Sequence, residues 1–172
     1  KEVLPKNLRF LEKRGLDIRF CNDNLMPHKK YYYSMQEFPD SNIITIDDDI
    51  VYPPFLIDTL EKANKRYPNS ILCPITREIK INSNIVAPYS SWEKLEINSE
   101  PRMALLTMGG GGTLFPPGSL EEPICYDKTL IENLALRSDD LWLKIMSTIK
   151  GTTVVSLGGN FFNSFIPLFH QN

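Results

Sequence analysis

Apolar residues at helical spacing first occur in residues 5–13, where Leu8 and Leu11 share a face, Pro5 suits the first turn and Gly15 suits a C-terminal stop. The next stretch, LDIRFC, alternates Leu16, Ile18 and Phe20 and predicts a strand. NDNLMP reads as a turn and residues 27–36 as a helix entered through Pro27, with FPDSN as the break after it. Residues 43–46 are apolar except for Thr45, which suits a strand covered on both faces. Pro53 and Pro54 open a further helix to about residue 67, with Leu56, Leu60 and Ala63 as its stripe and Pro68 as its end. SILCPI predicts another strand, whereas residues 76–102 read as polar and irregular, with aromatics at Tyr89 and Trp92. MALLTMGGGGTLF predicts a strand, a glycine-rich turn and a second short strand. Ser138 is a good N-cap for a helix over residues 139–150. Its apolar face is Leu141, Trp142, Ile145, Met146 and Ile149; Gly151 caps it, and TTVVSL predicts a last strand.

Helix and strand alternate through the first half, which predicts an α/β fold with a largely parallel sheet flanked by helices. No internal repeat or low-complexity segment interrupts the chain, so residues 1–172 read as one domain. That length can bury a sizeable core. The opening at Lys1, inside what reads as a helix, and the end on FHQN predict that residues are missing from one or both ends.

Composition narrows the class. Hydrophobic content of 42% and charge of 23% fit a soluble globular protein, and a net charge of −2 gives no basic footprint for nucleic acid. No apolar run reaches membrane-spanning length and no signal peptide is visible. Cys21, Cys73 and Cys125 lie far apart without zinc-like spacing, and their odd number argues against a disulfide framework and for a reducing compartment. Each reads as a small buried apolar residue.

Four stretches carry candidate chemistry. In NIITIDDDIVYPP an apolar strand runs straight into Asp47, Asp48 and Asp49, which repel one another unless solvated or met by positive charge. Ligands of open α/β sheets bind at the carboxyl ends of strands. In an extended chain Asp47 and Asp49 project to one side and make a hard-oxygen site for Mg²⁺ or Mn²⁺, with positions left for phosphate oxygens. The competing reading is a solvated loop whose last aspartate caps the following helix. In RSDDLWLK, Asp139 and Asp140 fall in the first turn of the last helix. There they serve either as helix stabilisers, worth about 0.3–1 kcal/mol each, or as a general base aimed into a cleft. Gly109 to Gly112 permit close approach of backbone to a ligand, or form a flexible hairpin tip. In MPHKKYYY, Lys29 and Lys30 lie in a helix first turn that already favours anions; they serve an anionic ligand or are solvated. Tyr31 to Tyr33 read as core and rim packing. A haloacid-dehalogenase-type phosphatase would have Thr or Val soon after its aspartates and a lysine near a second acidic pair, which DDDIVYPP matches poorly. The Gly-Ser turn of a nucleotidyltransferase is absent.

Taken in order, these pieces resemble the nucleotide-diphospho-sugar transferase fold of the GT-A glycosyltransferases. IITIDDDIVYPP resembles that superfamily's Asp-x-Asp motif, GGGGTLFPP its glycine-containing loop, and SDDLWLK its later acidic motif. The set is similar, over residues 15–150, to family-2-like bacterial enzymes of polysaccharide and surface-glycan biosynthesis, except that Phe115 stands where a Tyr precedes Pro-Pro. The resemblance implies a GT-A, Rossmann-like sheet that lacks its first strand in this chain. It implies Asp47 and Asp49 on Mn²⁺ or Mg²⁺, with Asp47 and Asp48 at the donor and Lys30 and Lys29 near its nucleotide. It places Gly110 and Gly111 against the donor sugar, Asp140 as the base with Asp139 as the alternative, and His170 near a late metal-ligating histidine. The implied partners are a UDP- or GDP-sugar donor and a glycan or lipid-linked acceptor. The implied reaction is an inverting transfer by a cytoplasmic enzyme, peripheral to the inner membrane through partners. A non-catalytic glycan- or nucleotide-binding domain on the same fold, and a metal-dependent phosphohydrolase, stand beside it.

Overall fold

A computed structural model of the chain describes residues 4–161 and 164–168. It opens with helix α1 (Lys6–Glu12), entered through Pro5. A 3₁₀ turn over Met26–His28 leads into α2 (Lys29–Glu37), and strand β1 (Ile43–Thr45) follows. After the aspartates come the short β2 (Ile50–Val51), helix α3 (Leu56–Arg66) and β3 (Ile71–Cys73). Then come β4 (Thr76–Glu78), β5 (Ile81–Asn82), β6 (Ile85–Val86), β7 (Lys94–Leu95) and β8 (Leu105–Thr107). A 3₁₀ turn over Gly109–Gly111 leads to β9 (Thr113–Phe115), followed by α4 (Lys128–Leu134) and α5 (Asp139–Lys150). Strands β10 (Val154–Ser156) and β11 (Ile166–Pro167) complete the described chain.

The central sheet has the order β1-β9-β3-β10. Strands β3 and β10 pair in parallel, and β9 pairs antiparallel with both β1 and β3. The expected largely parallel sheet is therefore corrected to a mixed one. Strands β1, β3 and β10 share a direction, but β9 arrives from the glycine turn with no crossover helix and runs the opposite way.

Alternation of side chains across this sheet builds two apolar layers. Ile43, Ile71, Phe115 and Val154 face one, with Tyr31 and Met35 of α2 and Trp142, Leu143 and Met146 of α5. Ile44, Leu72, Leu114 and Val155 face the other, against Leu56 and Leu60 of α3. The two-sided cover expected of residues 43–46 and the α3 stripe follow from this arrangement. Each fully buried aliphatic side chain contributes about 1.5–3 kcal/mol.

Several elements differ from expectation. LDIRFC alternates but forms no strand; Leu16 and Phe20 stand exposed, since no neighbouring strand pairs with this segment among the described residues. Residues 76–102 are not irregular. They supply β4 and β7 to a three-stranded sheet of order β7-β4-β8, and the β5–β6 hairpin turns through Ser83 and Asn84 at positive φ. Strands of two or three residues give too little periodicity to read in advance. Strands β8 and β9 lie in different sheets, so the glycine run is a passage between sheets and not a hairpin tip. Helix α4, capped by the Asp127 side chain on the Leu130 N–H at 3.0 Å, was not anticipated. On α5 the buried face is Trp142, Leu143 and Met146, whereas Leu141, Ile145 and Ile149 are exposed. Cys73 and Cys125 are buried, but Cys21 is exposed. No helix among the described residues is long and apolar enough to cross a membrane.

One buried polar contact ties distant elements together. His28 is fully buried; its Nε2–H donates to the Ala135 carbonyl at 2.8 Å, which leaves Nδ1 to accept from the Tyr31 hydroxyl at 2.9 Å. The start of α2 is thus held to the segment that precedes α5.

Candidate functional site

Strand β1 delivers the aspartates to the carboxyl end of the central sheet. Beyond it Ile46 is exposed, and Asp48 and Asp49 form a turn into β2. That ribbon is fixed by pairing of β2 with β11 and by the Leu168 N–H on the Asp49 carbonyl at 2.6 Å. The turn breaks the extended run, so strand alternation does not set Asp47 and Asp49 side by side as the sequence suggested. Tyr52 fixes Asp47: its hydroxyl accepts from the Asp47 N–H at 2.8 Å and donates to the Gly110 carbonyl at 3.1 Å. One side chain thus links the acidic loop to the glycine turn.

Helix α2 brings Lys30 into the same space. Its ammonium donates to Asp47 Oδ1 at 2.8 Å and lies 2.9 Å from Asp139 Oδ2. The second contact is an ion pair without hydrogen-bond alignment, and it is the only partner of that otherwise buried oxygen among the described residues. Side-chain exposures of 18%, 31% and 11% for Lys30, Asp47 and Asp139 set these pairs apart from solvated surface bridges, which contribute little. Burial alone would lower the Lys30 ammonium, but the Asp47 hydrogen bond and the close negative charge of Asp139 and Asp47 outweigh it and raise it.

Asp140 has a different environment. Its Oδ1 accepts the Gly109 N–H at 3.0 Å, and no cation pairs with it among the described residues. Burial and the neighbouring Asp139 charge push it up to about 6, against the pull of the Gly109 N–H and Lys30. A Cβ at Gly109 would lie 2.6 Å from Asp140 Oδ1 and 2.9 Å from Lys30 Nζ, so a larger residue there would displace these two side chains from the present arrangement. At Gly112 the constraint is backbone conformation, with φ at +75°.

Lys30, Asp47, Asp139 and Asp140 line an open cleft of about 570 Å³, within the usual range for small-molecule sites. Of the residues singled out in the sequence, Lys30, Asp47, Asp48, Asp49, Gly110, Asp139 and Asp140 meet there. Lys29 does not: it is exposed and lies outside the cleft lining. Gly111 does not either; it is buried, and a Cβ there would lie 3.0 Å from Ile75 Cβ, so its duty is packing. His170 lies outside the described residues. Sequence reasoning missed Tyr52 and Arg137, the latter in the cleft lining; Gly109 stood within the glycine run it singled out, but without the contact to Asp140. Arg137 stands inside the quoted RSDDLWLK, and a lone guanidinium beside two aspartates was the signal available.

The lining carries five aspartates against Lys30 and Arg137, a formal charge of −3. Among the described residues no group of three or more His, Cys, Asp or Glu side chains gathers as a self-sufficient metal site. An all-oxygen set, with Asp48 and Asp49 exposed and Asp47 partly exposed, still fits a hard divalent ion of the magnesium kind, which takes one or two protein carboxylates and completes its shell with water and phosphate. Asp47 and Asp49, which meet in the cleft lining, are the residues that the motif resemblance would have hold it. No protein-family model matches the chain, and no curated protein matches it significantly.

Proposed function

We propose that the chain is a glycosyltransferase that moves a sugar from a UDP- or GDP-sugar to a hydroxyl of a glycan or lipid-linked acceptor. One observation carries the reading. The three segments that resemble glycosyltransferase motifs, far apart in sequence, converge on one cleft through Lys30–Asp47, Lys30–Asp139 and Gly109–Asp140 contacts.

Asp140 is the general base. A carboxylate raised to about 6 is largely ionised at neutral pH and is a far better proton acceptor than an ordinary aspartate. It takes the proton of the acceptor hydroxyl as that oxygen attacks the anomeric carbon, which inverts the configuration there. The Gly109 N–H holds its Oδ1 in place. Asp139 is the residue that neutralises Lys30, and not the base, since its charge is already committed. Gly110 lines the cleft beside Asp47, where a Cβ would lie 3.1 Å from Ile50 Cδ1 and 3.2 Å from Asp47 Oδ2, and is the proposed backbone surface for the donor. Mn²⁺ or Mg²⁺, held by Asp47 and Asp49, would neutralise charge on the departing nucleoside diphosphate. A cleft of formal charge −3 would otherwise repel that anion.

Titration of UDP and GDP against the protein, with and without Mn²⁺, tests this reading on wild type and Asp49→Ala. Metal-dependent binding that weakens in the variant supports it. Nucleotide binding indifferent to metal and to Asp49 would favour a non-catalytic binding domain. Release of phosphate from simple esters would point to a phosphohydrolase.

A further inference from the structure

We propose that Lys30 is a latch that closes Asp47 to a divalent cation, and that the donor diphosphate opens it, so that metal and donor enter the cleft together. This deepens the glycosyltransferase reading and rests on it.

The geometry supplies each part. The ammonium sits between two carboxylates, at 2.8 Å from Asp47 Oδ1 and 2.9 Å from Asp139 Oδ2. Asp139 Oδ2 has no other partner among the described residues, so Lys30 cannot leave Asp139 without stranding a buried charge. Asp47 is the more exposed of the two and keeps an independent hold through the Tyr52 hydroxyl on its N–H. The ammonium therefore has a fixed partner in Asp139 and a releasable one in Asp47. A dication arriving alone must share Asp47 with that ammonium, and the two cations repel. Diphosphate oxygens change the sign of the encounter, because they offer an anion to both. An ammonium has three N–H donors and one is spent in the hydrogen bond to Asp47, so donors remain for a phosphate oxygen.

The test is Mn²⁺ binding, read from loss of the free-ion electron paramagnetic resonance signal, with and without UDP or GDP. The proteins are wild type, Lys30→Gln and Lys30→Gln/Asp139→Asn; the double variant removes the carboxylate that the single one would leave unpaired. Mn²⁺ alone should bind both variants at least about tenfold more tightly than wild type, given the strength of charge repulsion at this range. Nucleotide should then raise Mn²⁺ affinity more in wild type than in the variants. Nucleotide-dependent Mn²⁺ binding of equal strength in all three proteins would overturn the latch and leave the glycosyltransferase reading intact. Tighter Mn²⁺ binding in the variants with no nucleotide effect on any protein would instead overturn the diphosphate as the opener, together with that reading.

Discussion

Asp140 and Lys144, four residues apart on α5, show how burial sets chemistry one side chain at a time. Asp140 is raised to about 6 from 3.8, so between those values the folded state binds more protons than the unfolded state, and stability falls as pH rises through that window. Asp140→Asn keeps the shape and removes this cost. It should stabilise the fold at pH 7 by roughly 1–3 kcal/mol while cutting turnover about 10²–10⁴-fold, with donor affinity nearly unchanged. Denaturant titration and turnover assays on the same preparation check both signs; a variant that kept full turnover would refute the base assignment. Lys144 is 8% exposed and donates to the Met103 carbonyl, and burial lowers it to about 8 from 10.5. Here the unfolded state binds more protons between about 8 and 10.5, so stability should rise with pH across that window. Lys144→Met should be more stable than wild type at pH 7 by roughly 2–3 kcal/mol, with the gap closing by pH 10.5. Parallel stability profiles for the two proteins would rule this out.

Elements were legible where their apolar pattern was long or punctuated by strong breakers. Helix α3 between Pro54 and Pro68, and α5 between Ser138 and Gly151, stand close to where the residues put them. Helix α5 also shows the limit of that reading. Five apolar residues were assigned to one face, but they divide into a buried set at Trp142 and Met146 and an exposed set at Leu141, Ile145 and Ile149. Hydrophobicity alone does not say which stripe meets the sheet. Trp142→Ala should accordingly cost about 3–5 kcal/mol, whereas Ile145→Lys should change stability by no more than about 0.5 kcal/mol. Equal losses, measured by thermal unfolding, would mean that the helix is rotated or its outer stripe covered. The acidic loop and the glycine turn were both legible as candidates; the link between them was not, because it depends on a tyrosine hydroxyl reaching across 58 residues of sequence. Tyr52→Phe leaves the Asp47 N–H and the Gly110 carbonyl without that partner. It should cost about 1–3 kcal/mol and weaken Mn²⁺-dependent nucleotide binding. Unaltered binding would separate the link from the site.

At the scale of the whole molecule, the antiparallel strand β9 decides what the cleft is. It lies between β1, which ends in the aspartates, and β3, and it begins where the glycine turn ends. Helices α2 and α5 pack on one face of that sheet and deliver Lys30 and the Asp139–Asp140 pair to the same end. No two neighbouring segments of sequence make the site. It exists only when the central sheet, both helices and the His28 contact are in place together. A ligand that bridges the acidic loop, the glycine turn and α5 therefore binds the native state and not the unfolded chain, and stabilises the entire fold by mass action. Nucleotide with Mn²⁺ at about one hundred times its Kd should add about 2.7 kcal/mol. For a chain of 172 residues that corresponds to a Tm rise of roughly 5–10 °C. On the proposed reading Asp49→Ala should lose most of this rise through the metal, whereas Asp140→Asn should keep it, since the proposed base would contribute to transfer and not to donor binding. Differential scanning calorimetry of the three proteins distinguishes these cases. A rise that survives in Asp49→Ala and vanishes in Asp140→Asn would assign the nucleotide to the α5 wall of the cleft and the aspartate loop to another ligand.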